Sequence, residues 1–171
     1  MAASERSRSA ASKQASVSRA ILLVDAGKQL LDAGDLAAAL ESFREAAQIS
    51  PRSEEAHLYH GIALRSAGET ASALEALDRC LLINPRRAEA HYRRGLVLEE
   101  AGRGEEALAA LESAVGLAPS LVTAQLALGR NALGAGDLPS ARRAFSAVLA
   151  WRPGDGEALE GLSRARGQPS P

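Results

Sequence analysis

The chain has 171 residues, 46% of them hydrophobic but only 3% aromatic, and a formal net charge of -1 from 20 basic and 21 acidic residues. The length suits one ordinary domain, and apolar content drawn largely from Ala and Leu favours close-packed helices over a β-sandwich, which would want Val, Ile and aromatics. The near-neutral charge excludes the basic footprint of a nucleic-acid binder, and a single cysteine, Cys80, excludes an internal disulfide framework and suits a reducing compartment.

Residues 1–19 are rich in Ser and Ala with scattered Arg and Lys. They lack the continuous apolar core of a secretory signal. Glu5 and the missing amphipathic Arg spacing count against a mitochondrial presequence. The segment reads as a disordered or weakly helical N-terminal arm. The longest apolar runs, such as Ala20–Val24, are far too short to cross a bilayer. A soluble, cytoplasmic chain without membrane insertion is the expectation.

A repeat starts at Ala20. Pro51, Pro85, Pro119 and Pro153 lie 34 residues apart, and so do four further columns. These are Gly27, Gly61, Gly95, Gly129; then Gly34, Gly68, Gly102, Gly136; then Ala39, Ala73, Ala107, Ala141; then Phe43, Leu77, Leu111, Phe145. A fifth column, Ile49, Ile83, Leu117 and Trp151, runs two residues ahead of each proline. Glycine in the Gly34 column suits the left-handed residue that ends a helix. Asp35, Thr70 and Asp137 are then N-caps of the next helix, and Pro139 suits its first turn. The Pro51 column stops that second helix. Each unit is therefore helix A, tight turn, helix B, stop, over 20–53, 54–87, 88–121 and 122–155.

The Gly27 column falls inside helix A, where glycine costs about 1 kcal/mol relative to alanine. Bearing that cost four times implies a shared steric need. The expectation is that Gly27 faces Ala39 across a close approach of helices A and B. Leu30, Leu64, Leu98 and Phe43, Leu77, Leu111 then fill the space around it.

These columns resemble the tetratricopeptide repeat, over about Ala20 to Asp155. The resemblance implies an all-α fold, a right-handed superhelical solenoid of four helix-turn-helix repeats. It implies a capping helix over 156–166, with Leu159 and Leu162 facing inward, and a disordered tail over 167–171. Two columns depart from the family. The aromatic usual early in helix A is replaced by Leu23, His57, His91 and Gln125, and Arg142 stands in place of Leu40, Leu74 and Leu108.

In the family, helix A lines the concave surface, so residues spaced by four along it should face a groove. The rows are Val24, Leu58, Tyr92, Leu126; then Lys28, Ile62, Leu96, Arg130; then Leu31, Arg65, Glu99, Leu133. The expected binding set is Val24, Lys28, Leu58, Tyr59, Ile62, Arg65, Tyr92, Arg93, Leu96, Glu99, Leu126 and Arg130. It has an apolar centre and basic edges, with Tyr92 as the best anchor, since aromatics dominate binding hot spots. Relatives that capture the C-terminal carboxylate of heat-shock chaperones use a Lys, Asn and Arg clamp. The matching positions are Val24, Lys28, Tyr59, Glu89 and Arg93, of which Arg93 alone agrees, so no such clamp is expected.

His57, His60 and His91 are the only histidines. With no Cys or carboxylate to complete a set, they read as semi-buried packing residues and not as a zinc site. Cys80 occupies the column of Ala46 and Ala114 and reads as a small core residue. No nucleophile–base set or phosphate-binding loop appears. Glu41, Glu45, Glu75, Asp78 and Glu112 alternate with Arg44, Arg79 and Arg143 as a solvated helix-B face. The resulting expectation is a non-enzymatic scaffold or adaptor without cofactor or metal. Its partner is an apolar, possibly acidic-flanked protein or peptide segment, with no role for nucleic acid. Two alternatives stand beside it: homo-oligomeric self-assembly through the N-terminal arm, and a small chaperone for a secreted or assembled partner.

Overall fold

The computed structural model describes residues 2–167, with side chains from Ser12 onward. Among the described residues there are nine helices and no strand. The chain divides into two units, Met1–Pro85 and Arg86–Pro171. The first holds α1 (Ala2–Asp32), α2 (Leu36–Ile49), α3 (Glu54–Ser66) and α4 (Thr70–Ile83). The second holds α5 (Ala88–Glu100), α6 (Gly104–Leu117), α7 (Val122–Gly134), α8 (Leu138–Trp151) and α9 (Gly156–Ala165).

The turn between helices A and B is the same four times. Gly34, Gly68, Gly102 and Gly136 have φ of +83°, +78°, +72° and +79°, a region that only glycine enters without strain. Asp35 N–H then reaches back to Leu30 O at 2.8 Å and Gly34 N–H to Leu31 O at 3.0 Å. This crossed pair satisfies carbonyls that the helix end leaves open. It recurs from Glu69 to Leu64 and from Arg103 to Leu98, each at 2.9 Å. Asp35 and Asp137 cap the next helix, accepting from Ala38 N and Ser140 N at 3.1 Å each. Thr70 does not cap. The cap position of α4 is Glu69, which makes no side-chain cap bond. Its longer side chain accepts from Ser72 Oγ at 3.3 Å instead.

Each helix B ends two residues ahead of its proline column, and the residue between is the C-cap, as at Ser50, whose N–H bonds Ala46 O at 2.9 Å. The residue before a proline is pushed out of the helical region. The next helix A starts at once, and Ser53 and Asp155 cap α3 and α9 through Ala56 N and Ala158 N at 3.2 and 3.0 Å.

The nearest neighbour of each interior glycine is the large residue of helix B. A Cβ on Gly27 would have three Phe43 ring atoms as its nearest contacts, the closest at 2.5 Å. On Gly61 and Gly95 it would meet Leu77 at 2.7 Å and Leu111 at 2.8 Å, with Ala73 O and Ala107 O at 3.3 and 3.4 Å. Glycine thus makes a socket for the large residue of helix B, and the alanine column adds only its backbone. Phe43, Leu77, Leu111 and Phe145 are almost wholly buried as a result.

In the first unit Phe43 joins Val24, Ala39, Ala46, Ala56 and Ala63 in one core cluster across α1, α2 and α3. In the second unit Phe145, Val148, Ala158, Leu162 and Ala165 tie α8 to α9. Gly161 of α9 presses on the same Phe145 ring that Gly129 receives from α7. The inward face of α9 is Ala158, Gly161, Leu162 and Ala165. Leu159, expected inside, is 47% exposed. It lies one residue off the stripe at positions 158, 161–162 and 165, which follows the helical period.

Over residues 2–19 the expected arm is the N-terminal part of α1, in one continuous 31-residue helix. At 1.5 Å per residue α1 is about 46 Å long against about 21 Å for α2. Of the tail expected over 167–171, only Gly167 is described, at φ +72°. The remainder lies outside the described residues.

Candidate partner-binding faces

In the first unit the helix-A face centres on Tyr59. Its ring stacks on Phe43 at 5.7 Å between centroids, and Lys28 Nζ sits over the ring 4.4 Å from its centroid. Lys28 Nζ also bonds Glu55 Oε1 at 2.7 Å and approaches Asp25 at 3.8 Å. Burial works against the ammonium. The Glu55 hydrogen bond and the charges of Tyr59, Glu55 and Asp25 outweigh it and hold the Lys28 pKa above its ordinary value. Ile62 and Arg65 are half-buried on the same helix.

In the second unit Tyr92 and Leu96 are half-buried and rest on the cluster of Leu111, Ala127, Leu128 and Ala144. The Arg93 guanidinium lies 5.3 Å from the Tyr92 centroid and bonds Glu89 at 2.9 Å. Glu99 is half-buried. Leu126 is half-buried and packs on the Phe145 cluster. Arg130 is exposed and paired with Glu157 of α9.

Two members of the expected set are core and not surface. Val24 is 3% exposed and Leu58 0%. Four-residue spacing along helix A identifies a side of the helix but not its depth, and Val24 lies where α3 packs, beside Ala56 and Ala63. The basic edge is also less free than its sequence suggests, because Lys28, Arg93 and Arg130 each hold a glutamate. Lys28–Glu55 and Arg130–Glu157 share one offset of 27 residues. That repetition was available in the sequence as a signal of helix-A to helix-A pairing.

The histidines serve structure. His57, 4% exposed, brings Nε2 to 3.0 Å from Pro51 O. The carbonyl can only accept, so Nε2 carries the proton. Gln125, in the same column, makes the equivalent bond from Nε2 to Pro119 O at 3.4 Å. Among the described residues no group of three His, Cys, Asp or Glu side chains is placed to hold a metal. Cys80 is a buried free thiol.

Sequence reasoning missed a cleft of about 770 Å³ between α2 and α4, floored by His57, His60 and Leu64 of α3. Leu82 on its border is 82% exposed. Burial lowers the His60 pKa, seconded by the positive charge of His57, Arg44 and Arg79 and opposed by Glu69.

A chain of A/B helix pairs with a glycine socket in each, repeating every 34 residues, defines a tetratricopeptide-type protein. Two family profiles, each described as "Tetratricopeptide repeat", match residues 24–81 and 60–121 in one case and 98–165 in the other. The chain belongs to the tetratricopeptide repeat family. Among solved structures it resembles the MamA protein at 22% identity and TM-score 0.78, covering 87% of this chain and 81% of that one. It also resembles MamA 41-end from Desulfovibrio magneticus RS-1 at 26% identity and TM-score 0.77, covering 87% and 84%. A third is YrrB, described as "a TPR protein with an unusual peptide-binding site", at 22% identity and TM-score 0.74, covering 86% and 76%. These likenesses bear on the fold. Among curated proteins, no sequence matches the chain significantly. Proteins of this family are in general protein-interaction scaffolds without catalytic activity. No described helix is long and apolar enough to cross a membrane.

Proposed function

We propose that this chain is a non-enzymatic scaffold that binds a protein segment on its helix-A faces. The observation that carries the reading is the state of Tyr92 and Leu96. Both rest on the core yet stay half open on one helix, beside an arginine that lies against the Tyr92 ring and pairs with the neighbouring Glu89. Rigid aromatic and aliphatic anchors flanked by exchangeable charges are what interface hot spots use. Tyr59 and Ile62 offer the same combination on the first unit. A ligand carboxylate would compete with Glu55, Glu89 or Glu157 for its cation, which favours apolar ligands with acidic flanks over purely acidic ones. A reducing, cytoplasmic setting belongs to this reading, supported by the single buried thiol of Cys80.

The test is affinity capture from the source cells with wild type beside an Ile62→Ala/Tyr92→Ala variant. Loss of captured protein by a variant that keeps its helical circular dichroism supports the reading. Equal capture by both proteins rejects it.

A second reading, self-assembly through the N-terminal part of α1, is favoured by Val17, Ile21 and Leu22, which are 37%, 56% and 69% exposed on that helix. Removing residues 1–19 together with Ile21→Gln and Leu22→Gln should then shift the sedimentation profile to smaller species. An unchanged profile dismisses it.

A further inference from the structure

Helix α8 differs from the other three B helices in charge. Helix α2 carries Glu41 and Glu45, α4 carries Glu75 and Asp78, and α6 carries Glu105, Glu106 and Glu112, whereas α8 has no acid. The change follows the columns. Glu41, Glu75 and Ala109 give way to Arg143, and Arg44, Asp78 and Glu112 to Ser146. The half-buried leucines Leu40, Leu74 and Leu108 give way to the exposed Arg142. Like charges gathered on one helix face repel one another and lower stability unless something uses them.

These substitutions converge on one place. A cleft of about 440 Å³ between α8 and α9 is lined by Pro139, Arg142, Arg143, Ser146, Leu162 and Arg166. It presents three guanidiniums and no carboxylate. Elsewhere in this unit Arg93, Arg103 and Arg130 each pair with a glutamate. Among the described residues Arg142 and Arg166 have no such partner. Arg143 is held in place: its Nη2 donates to Ser140 Oγ at 2.8 Å. Ser140 is 8% exposed, and its N–H bonds Asp137 at 3.1 Å. The Asp137 carboxyl, pulled below its ordinary pKa first by its hydrogen bonds from Ser140 and less by the charge of Arg143, is not part of the cleft lining. Leu162 and Pro139 give the cleft an apolar side.

We propose that the α8–α9 cleft binds an acidic segment of a protein partner. A carboxylate enters between Arg142, Arg143 and Arg166, and a neighbouring apolar side chain lies on Leu162 and Pro139. Guanidiniums present paired N–H donors matched to a carboxylate. The Ser146 hydroxyl is a further donor at the same edge. The apolar side distinguishes a peptide from a bare inorganic anion, which would have no use for it. The site lies apart from the helix-A faces and does not depend on them.

The test is fluorescence anisotropy with a labelled Glu-Leu-Glu-Asp-Leu-Glu peptide at low salt. Its Gln/Asn counterpart serves as the control, and inorganic phosphate as competitor. The acidic peptide should bind and the amide peptide should not, and binding should weaken as salt rises. R142L, which restores the residue of the sister units, and R166Q should each weaken binding about ten-fold, the worth of a lost charged hydrogen bond. R103Q, which releases Glu106 at the start of α6, should leave it unchanged, and R93Q reports separately on any binding at the helix-A face. Phosphate should compete only weakly. Equal binding by R142L and R166Q, equal binding of the amide peptide, no binding of the acidic peptide, or sensitivity confined to R93Q would each overturn the proposal. Full displacement by low phosphate would leave a simple anion site and overturn it as well.

Discussion

The glycines of this chain divide into two physical kinds, and alanine substitution separates them. At Gly61 a methyl group would stand 2.7 Å from Leu77 Cγ, with Ala73 O at 3.3 Å behind it. Overpacking of that kind costs about 1–3 kcal/mol, against about 1 kcal/mol gained in helix propensity. At Gly116, also helical, a methyl group would meet nothing within 4 Å, so only the gain remains. Gly61→Ala should therefore lower the urea midpoint and Gly116→Ala should raise it, and a rise in both would contradict the socket. The sequence identified the column but not its partner. Size complementarity between Gly27 and Phe43 depends on helix crossing geometry, which a one-dimensional pattern does not hold. The His57 column was similarly half legible. Its departure from the family's aromatic was visible, whereas its bond to Pro51 O follows from the path of the chain after α2.

At the scale of elements, two B-helix caps, Asp35 and Asp137, were readable because Asp follows the turn glycine directly, whereas α4 has no side-chain cap at Thr70. The A-helix caps Ser53 and Asp155 were overlooked, although each stands two residues after a column proline. Asp155 caps the first turn of the ten-residue α9. Asp155→Ala should cost about 1 kcal/mol and speed amide exchange in α9 ahead of α8. Exchange that rises equally in both helices would show that α9 does not open separately. The reading of α1 stopped at Ala20 because the preceding residues lack an apolar period. Yet no proline or glycine interrupts residues 2–26, and Ala, Arg, Lys and Gln are competent helix formers. Absence of breakers was the available signal there, and it was outweighed by the missing amphipathicity that the structure does not require.

For the molecule as a whole, pH is a probe of the first unit. Burial keeps His60 below its reference value of 6.5 in the folded state. The unfolded chain therefore takes up this proton first as pH falls. The stability that neutral His60 permits is complete above about 6.5 and is lost as pH falls through the lower folded value. Melting temperature should drop as pH falls below about 6.5, and His60→Gln should flatten part of that drop. Identical slopes in the two proteins would exclude His60 as the source. The fold was legible at this scale because each 34-residue unit restates the same contacts, so a single period carries nearly all the architecture. The binding faces were legible only in part. Val24 and Leu58 occupy the same side of helix A as Tyr92 but sit deeper, and the glutamates that hold Lys28, Arg93 and Arg130 come from helix spacing and from neighbouring helices.

The glycine sockets also bear on how such a chain changes over generations. Gly27 and Phe43, Gly61 and Leu77, and Gly95 and Leu111 each lie within one 34-residue segment. A duplication or exchange of such a segment copies hole and filler together, and no compensating mutation elsewhere is needed. Phe fills the hole in the first segment and Leu in the next two, so one filler can differ from its neighbours without disturbing them. Phe145 is the exception. It answers to Gly129 in its own segment and to Gly161 beyond it, so a change at this position has to suit the fourth segment and α9 together.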